Sequence, residues 1–196
     1  SHFFGKADFQ RSKRSVTILN LACGICEEAR TMCSFFSTGV YGMPGTNVEL
    51  VGVDNDELAI HRARLLSKQP GVFENQSFLI AANCRFLVGD VGHLETVDGI
   101  PDKADIVVLR HQFLLADALE NKDGWKKIIA EAVNRLSDKG YLLLTSFTDQ
   151  ERQLVEAELS SLEVQILISA KNPFSLPYPG RVGVAFDQSV AVAQKR

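Results

Sequence analysis

Residues 20–29 read Asn20-Leu-Ala-Cys-Gly-Ile-Cys-Glu-Glu-Ala29 and directly follow the apolar run Val16-Thr-Ile-Leu19. Two cysteines with C-x-x-C spacing therefore stand where a strand gives way to a helix. Three chemistries suit such a junction. A redox dithiol would use the positive end of the helix to stabilise the thiolate of its first cysteine. Against that, no aromatic residue precedes Cys23, and no later proline opens a strand to face the pair. A metal clip needs four ligands. Cys33 is near in sequence, but Cys84 is distant and no second C-x-x-C or H-x-x-H exists; zinc sites normally show paired spacings. The third reading is a ligand cradle. A tight strand-to-helix turn exposes backbone N–H groups, and small residues let a ligand approach the backbone. Ala22, Cys23, Gly24 and Cys26 are all small, although the G-x-G-x-x-G pattern of a dinucleotide loop is absent.

The surroundings of this turn favour the cradle. The next apolar run, 48–54 (VELVGVD), ends in Asp54, and an acid at the end of the second strand can accept hydrogen bonds from both hydroxyls of a ribose. The third, 85–90 (RFLVGD), ends in Asp90, which can accept a hydrogen bond from an adenine amino group. In open α/β sheets ligands bind at the carboxyl ends of the strands. Each acid also has a plainer role available, Asp54 as a helix cap and Asp90 as a turn residue before Gly92.

The whole chain alternates in the same way. Apolar runs at 16–21, 48–53, 84–88, 104–109, 141–147, 162–169 and 190–193 are separated by helical patterns at 26–36, 56–68, 124–136 and 149–159. The first two runs are nearly continuous, as strands buried on both faces are. Asp56 is the expected N-cap of the second helix, with Leu58, Ile60 and Leu65/Leu66 as its apolar face. Trp125, Ile128, Ile129, Ala132, Val133 and Leu136 form a core stripe, ended by Ser137–Gly140. Residues 37–47 and the proline-rich 172–180 are loops. The latter leads to the last run by an antiparallel return, and overhanging a site or forming a plain surface hairpin are equally open to it. These patterns predict an open α/β sheet with right-handed crossovers in one domain spanning 1–196, with 1–15 as the remnant of an N-terminal cap.

The 196 residues suffice for one sizeable core. With 45% hydrophobic and 23% charged residues and a net charge of −3, the composition is that of an ordinary domain and argues against broad electrostatic binding to nucleic acid. No run approaches the ~20 apolar residues of a membrane span and no signal-peptide pattern opens the chain, so four reduced cysteines in a cytoplasmic protein are expected.

Taken together, 16–29 (VTILNLACGICEEA), 51–60 (VGVDNDELAI), 86–91 (FLVGDV), 104–114 (ADIVVLRHQFL) and the helix at 125–136 followed by SDKGYLLL resemble, in order, the motifs of the class I S-adenosylmethionine-dependent methyltransferases. The resemblance spans about 16–195 and implies a Rossmann-like, seven-stranded sheet, mostly parallel with an antiparallel C-terminal strand and helices on both faces. It implies that Cys23 and Gly24 face the methionine part of S-adenosyl-L-methionine, Asp54 binds the ribose, Asn55 lies near the adenine, and Asp90 with Val91 holds the adenine edge. Arg110 and His111 would end the fourth strand beside the methyl group. A histidine at a strand end in a cleft can be a general base or can equally hydrogen-bond a loop, and Arg110 can hold a carboxylate of the cofactor or the substrate or pair with a surface acid. Asn20 stands where the family usually has an acid that holds the methionine ammonium, and Glu27 or Glu28 could restore that charge. Ala22 and Cys26 stand where it usually has glycine; Cys26 fits at little cost if its φ is negative.

The expected function is methyl transfer by in-line displacement. No Asn-Pro-Pro-Tyr-type motif follows the fourth strand, which weighs against base or glutamine methylation, and the acidic charge favours a small-molecule acceptor over nucleic acid. A non-catalytic relative acting through partners, and a thioredoxin-like protein, are the alternatives.

Overall fold

Side chains of a strand point alternately to opposite faces, and here both faces are covered. Along β1 (Ser15–Leu21), Val16 and Ile18 enter one apolar cluster, while Leu19 and Leu21 enter another on the opposite side. β2 (Asn47–Asp54) divides Val48 and Leu50 from Val51 and Val53 in the same way, and β4 (Ala104–Arg110) divides Ile106 and Val108 from Val107 and Leu109. Two-sided burial is why these runs read as continuous apolar stretches.

The computed structural model describes residues 15–37, 46–68, 82–110, 119–177 and 185–196. The remaining elements are α1 (Ala29–Ser37), α2 (Glu57–Lys68), β3 (Ala82–Val88), α3 (Leu119–Asn134), β5 (Leu136–Ser146), α4 (Asp149–Ser160), β6 (Val164–Lys171), β7 (Leu176–Pro177), β8 (Ala185–Phe186) and β9 (Ser189–Lys195). All seven expected runs are strands of one sheet, ordered β3-β2-β1-β4-β5-β9-β6. The pairings from β3 to β5 are parallel, and β9 is antiparallel to both its neighbours. β7 and β8 form a separate two-stranded ladder. The strand order reverses beside β1, which leaves a crevice at the carboxyl ends of β1 and β4.

Several boundaries and faces differ from expectation. α1 begins at Ala29 rather than at 26, because residues 22–28 are consumed by a tight turn. Asp56 does cap α2, its Oδ1 accepting from the amides of Leu58 and Ala59 at 2.9 and 3.1 Å. The buried face of α2, however, is Ala59, Ile60 and Ala63; Leu58 and Leu65 are exposed. Small residues let the helix lie close to the sheet, so the leucines beside them are turned to solvent. Ser137–Gly140 is an irregularity within β5: Leu136 pairs with Ala104 and Tyr141 with Ile106, leaving four residues opposite Asp105. Asp105 closes the gap by accepting from Thr17 N and Ser137 Oγ. Most of loop 37–47 and of the expected cap 1–15 lies outside the described residues; Ser15 already belongs to β1.

Candidate cofactor site

The turn after β1 is built by its own backbone. Cys23 N donates to Val53 O, Cys26 N to Cys23 O, and Ala29 N to Cys26 O. The chain turns this sharply through three left-handed residues: Ala22 (φ 51°), Gly24 (φ 54°) and Cys26 (φ 49°). The condition under which Cys26 would fit at little cost, a negative φ, is therefore not met. What compensates the strain at Cys26 is its thiol, which accepts from Asn20 Nδ2 at 3.1 Å. Ala22 has no such side-chain compensation. A left-handed alanine costs about 1–2 kcal/mol, and glycine adds under about 1 kcal/mol of unfolded-state entropy. Ala22→Gly is expected to raise stability by about 0.5–1 kcal/mol in urea unfolding; a loss would show that the turn is relaxed as it stands.

Asp54 ties the turn to the end of β2. Its Oδ2 accepts from Gly24 N at 2.8 Å and its Oδ1 from Asp56 N at 2.9 Å. Each oxygen keeps acceptor capacity for a ligand hydroxyl. Asp54 O accepts from Gly89 N at 2.9 Å, which brings the β3 tip beside it. Apart from its chain neighbours, no atom of the described residues lies within 4 Å of where a Cβ on Gly24 would stand, which leaves room for a ligand beside this backbone. Gly52 is the opposite case. A Cβ there would lie 2.7 Å from Phe86 Cδ1 and 2.9 Å from Cys23 Sγ. Gly52→Ala must displace both, at about 2 kcal/mol, and loosen the turn; wild-type urea stability would contradict this packing.

Two adjoining cavities open here. The smaller, about 230 Å³, is lined by Ala22, Asp54, Asn55, Val91, Gly124, Trp125 and Ile128. The larger, about 720 Å³, shares Ala22, Asp54 and Trp125 and extends along Cys23–Glu28 to Arg110, Phe147, Leu176, Phe186 and Asp187. Ala22, Cys23, Gly24, Asp54, Asn55, Val91 and Arg110 thus share one cleft. Asn20, 1% exposed, lies behind the turn, and its Oδ1 is buried without a hydrogen-bond partner. Asp90 lines neither cavity: its carboxylate accepts from Gly92 N at 2.8 Å and meets His93 Nδ1 at 2.7 Å, and the side chain is 62% exposed. The His93 contact first, then the Gly92 amide, holds the Asp90 carboxyl below its ordinary value. His111 lies outside the described residues.

At the far end, Arg110 makes a fork to Asp187, with Nη2–Oδ2 at 2.7 Å and Nε–Oδ1 at 3.3 Å, and Nη1 pairs with Glu28 Oε2 at 2.9 Å. Burial disfavours the guanidinium charge, but Asp187 and Glu28 more than offset it. Asn20 Nδ2 donates to Glu28 Oε1 at 3.0 Å. Glu28, one of the two glutamates singled out for that charge, is thus tied to Asn20.

The thiols of the C-x-x-C are packing groups. α1 starts at Ala29, so neither thiol sits on its first turn. The Cys23 thiol is pushed up, first by its hydrogen bond with Cys26, then by burial and by the charges of Asp54 and Glu28. A protonated, buried thiol is a poor redox nucleophile.

Sequence reasoning missed most of the apolar wall. Trp125, assigned to the core, packs against it at one edge and also lines both cavities. Phe147 stands just past the end of β5, where strand-end position was the available signal. Leu176 and Phe186 are register partners in the β7–β8 ladder and both face the larger cavity. The proline-rich connection therefore contributes to the rim. No local signal marked Asp187.

A family model described as "Methyltransferase domain" matches residues 12–174. A comparison with curated proteins finds no match. Solved structures similar to this chain include a SAM-dependent methyltransferase from Methanosarcina mazei (16% identity, TM-score 0.61, 93% of each chain covered). An rRNA methylase from Streptococcus thermophilus is similar at 10% identity and TM-score 0.55, over 93% of this chain and 88% of that one. The N-methyltransferase NodS from Bradyrhizobium japonicum, solved with S-adenosyl-L-homocysteine, is similar at 13% identity and TM-score 0.55, over 92% and 77%.

Proposed function

The chain belongs to the methyltransferase domain family, and from that premise we propose that it transfers the methyl group of S-adenosylmethionine to a small-molecule acceptor. The observation that carries the reading is the pair of adjoining cavities that share Ala22, Asp54 and Trp125. In this reading the smaller takes the adenine, between Asn55, Val91 and Ile128, and Asp54 takes the ribose hydroxyls. The larger takes the methionine end beside Cys23–Glu28, with the acceptor against Phe147, Leu176 and Phe186. Glu28 faces the ammonium and Arg110 offers its remaining N–H groups to the carboxylate. The open backbone at Gly24 and the spare lone pairs of Asp54 fit such a ligand. Asp90 supports the loop that carries Val91 rather than lining the adenine cavity.

When bound, the cofactor supplies an electrophilic methyl group. The chain's own work is then to align the two reactants and exclude water, which orientation alone can make worth several kcal/mol. Aromatic side chains at the mouth of the larger cavity suit both tasks. No proton transfer is assigned, since His111 lies outside the described residues.

The acceptor class rests on charge and lining. Among the described residues of the larger cavity, Glu27, Glu28, Asp54 and Asp187 face one cation, Arg110. Such a mouth repels a phosphate backbone, while its aromatic wall suits a small organic molecule. No helix among the described residues is long and apolar enough to cross a membrane. A cytoplasmic setting belongs to the same proposal and accords with four free cysteines.

Calorimetric titration with S-adenosylhomocysteine tests the first half: saturable binding of one ligand per chain is expected, and no binding at millimolar ligand would overturn it. Incubation with methyl-labelled cofactor and separated cell fractions tests the second. Label is expected in the small-molecule fraction; label in RNA would overturn that half alone.

A further inference from the structure

Two of the four cysteines, Cys33 and Cys84, stand apart from the cofactor turn. Cys33 is on α1 between Ala29 and Phe36 and is 2% exposed. Cys84 is on β3, an edge strand of the sheet, and is partly exposed. Although 51 residues apart in the chain, their sulfurs are 3.6 Å apart in the fold. A disulfide has an S–S bond of about 2.05 Å, so the sulfurs need approach by only about 1.5 Å, within reach of small side-chain rotations.

We propose that Cys33 and Cys84 are an oxidation site at which a peroxide forms an intramolecular disulfide, stapling α1 to the β3 edge. The more exposed Cys84 reacts first. Its thiolate attacks one peroxide oxygen, giving a Cys84 sulfenic acid and, after protonation of the leaving hydroxide, one water. The Cys33 sulfur then attacks the Cys84 sulfur; the S–O bond breaks, the Cys33 proton leaves with the hydroxyl group, and a second water forms. Both thiols are oxidised and one peroxide is reduced. The order of attack accords with the local field. The hydrogen bond with Cys33 holds the Cys84 thiol below its ordinary value, burial opposes this, and Arg30 adds to it. The same hydrogen bond and burial push the Cys33 thiol up, so it stays protonated while Cys84 reacts first, and its later attack draws on the 3.6 Å approach of the two sulfurs rather than on acidity. Cys23 and Cys26 are both buried, and neither offers the partly exposed sulfur with which Cys84 meets a peroxide.

A cross-link closing a loop this long restricts the unfolded chain strongly, while the reduced fold already holds the two sulfurs side by side. The oxidised protein is therefore expected to melt about 5–10 °C above the reduced protein. The difference should vanish on reduction with dithiothreitol and be absent from Cys33→Ser.

The experiment treats the reduced full chain with hydrogen peroxide, then counts thiols under denaturing conditions and maps peptides without reduction. Of four free thiols, two are expected to remain, with Cys33 and Cys84 in one linked peptide. In Cys33→Ser, Cys84 should stop at the sulfenic acid and be captured by dimedone. Four surviving thiols, a Cys23–Cys26 link, or dimedone capture of Cys84 in the wild type as readily as in Cys33→Ser would each overturn the proposal. So would an oxidised form that melts no higher. None of these readouts depends on cofactor binding.

Discussion

Asp54→Ala is expected to weaken S-adenosylhomocysteine binding by about 100-fold, with Asp54→Asn intermediate. In the proposed binding mode the carboxylate accepts from two ribose hydroxyls, and hydrogen bonds to a charged acceptor are worth about 1.5–3 kcal/mol each. Losing about 3 kcal/mol of that pair corresponds to roughly two powers of ten in Kd. A second effect adds to the first. Gly24 N and Asp56 N both donate to this side chain, at 2.8 and 2.9 Å, so alanine also releases the turn from the tip of β2. The two contributions separate experimentally. Asparagine keeps an oxygen acceptor and much of the turn but removes the charge, so it should recover stability more fully than affinity. Calorimetry on both variants, with thermal melts as the folding control, makes the comparison. Wild-type affinity in a folded Asp54→Ala protein would place the ribose elsewhere and remove the basis of the proposed binding mode.

Arg110→Ala should have the largest effect on stability, a loss of about 2–4 kcal/mol in urea unfolding. Arg110 is the shared cation of Glu28 and Asp187, and the three side chains are only 21–31% exposed. Removing one partner of a largely buried pair leaves the opposite charge desolvated without its compensation, which costs about 3–5 kcal/mol when burial is complete. The partial exposure here brings the expectation somewhat lower. Lysine should rescue little, because the contact to Asp187 is a two-point fork that an ammonium cannot reproduce. Cofactor binding should fall with it, since Glu28 takes its position from Arg110 and Asn20. A variant as stable as wild type would mean that the network is a surface ornament of the fold.

The Cys26 turn is instructive about how far local reading reaches. Its small residues, and the acid waiting at the end of β2, were legible because the geometry of a strand end repeats across open α/β sheets. The left-handed φ angles at Ala22 and Cys26 were not, because nothing in a side chain's identity announces that a turn will force it there; they follow from the hydrogen bonds that the turn makes with Val53 and within itself. Asp90 was open to two readings for a related reason. Its position at the end of β3 was read correctly, but a strand-end acid can serve the ligand or its own loop, and here Gly92 and His93 claim the carboxylate. Trp125 was read as core and does pack against it; that it also lines a cleft was not legible, because a helical apolar stripe specifies a buried side without saying where the core ends and a cleft begins.

The amino-acid sequence by itself determined the alternation of elements, the two-sided burial of the central strands and the antiparallel return at the end. The first two follow from the period of apolar residues along the chain and the third from the proline-rich connection before the last run, properties that each segment carries alone. Tertiary structure decided which distant groups meet: Arg110 with Asp187 across 77 residues, Cys33 with Cys84 across 51. Such encounters depend on the lateral order of the strands and the way each crossover lies on the sheet, and the energy that selects that order is spread over the whole core.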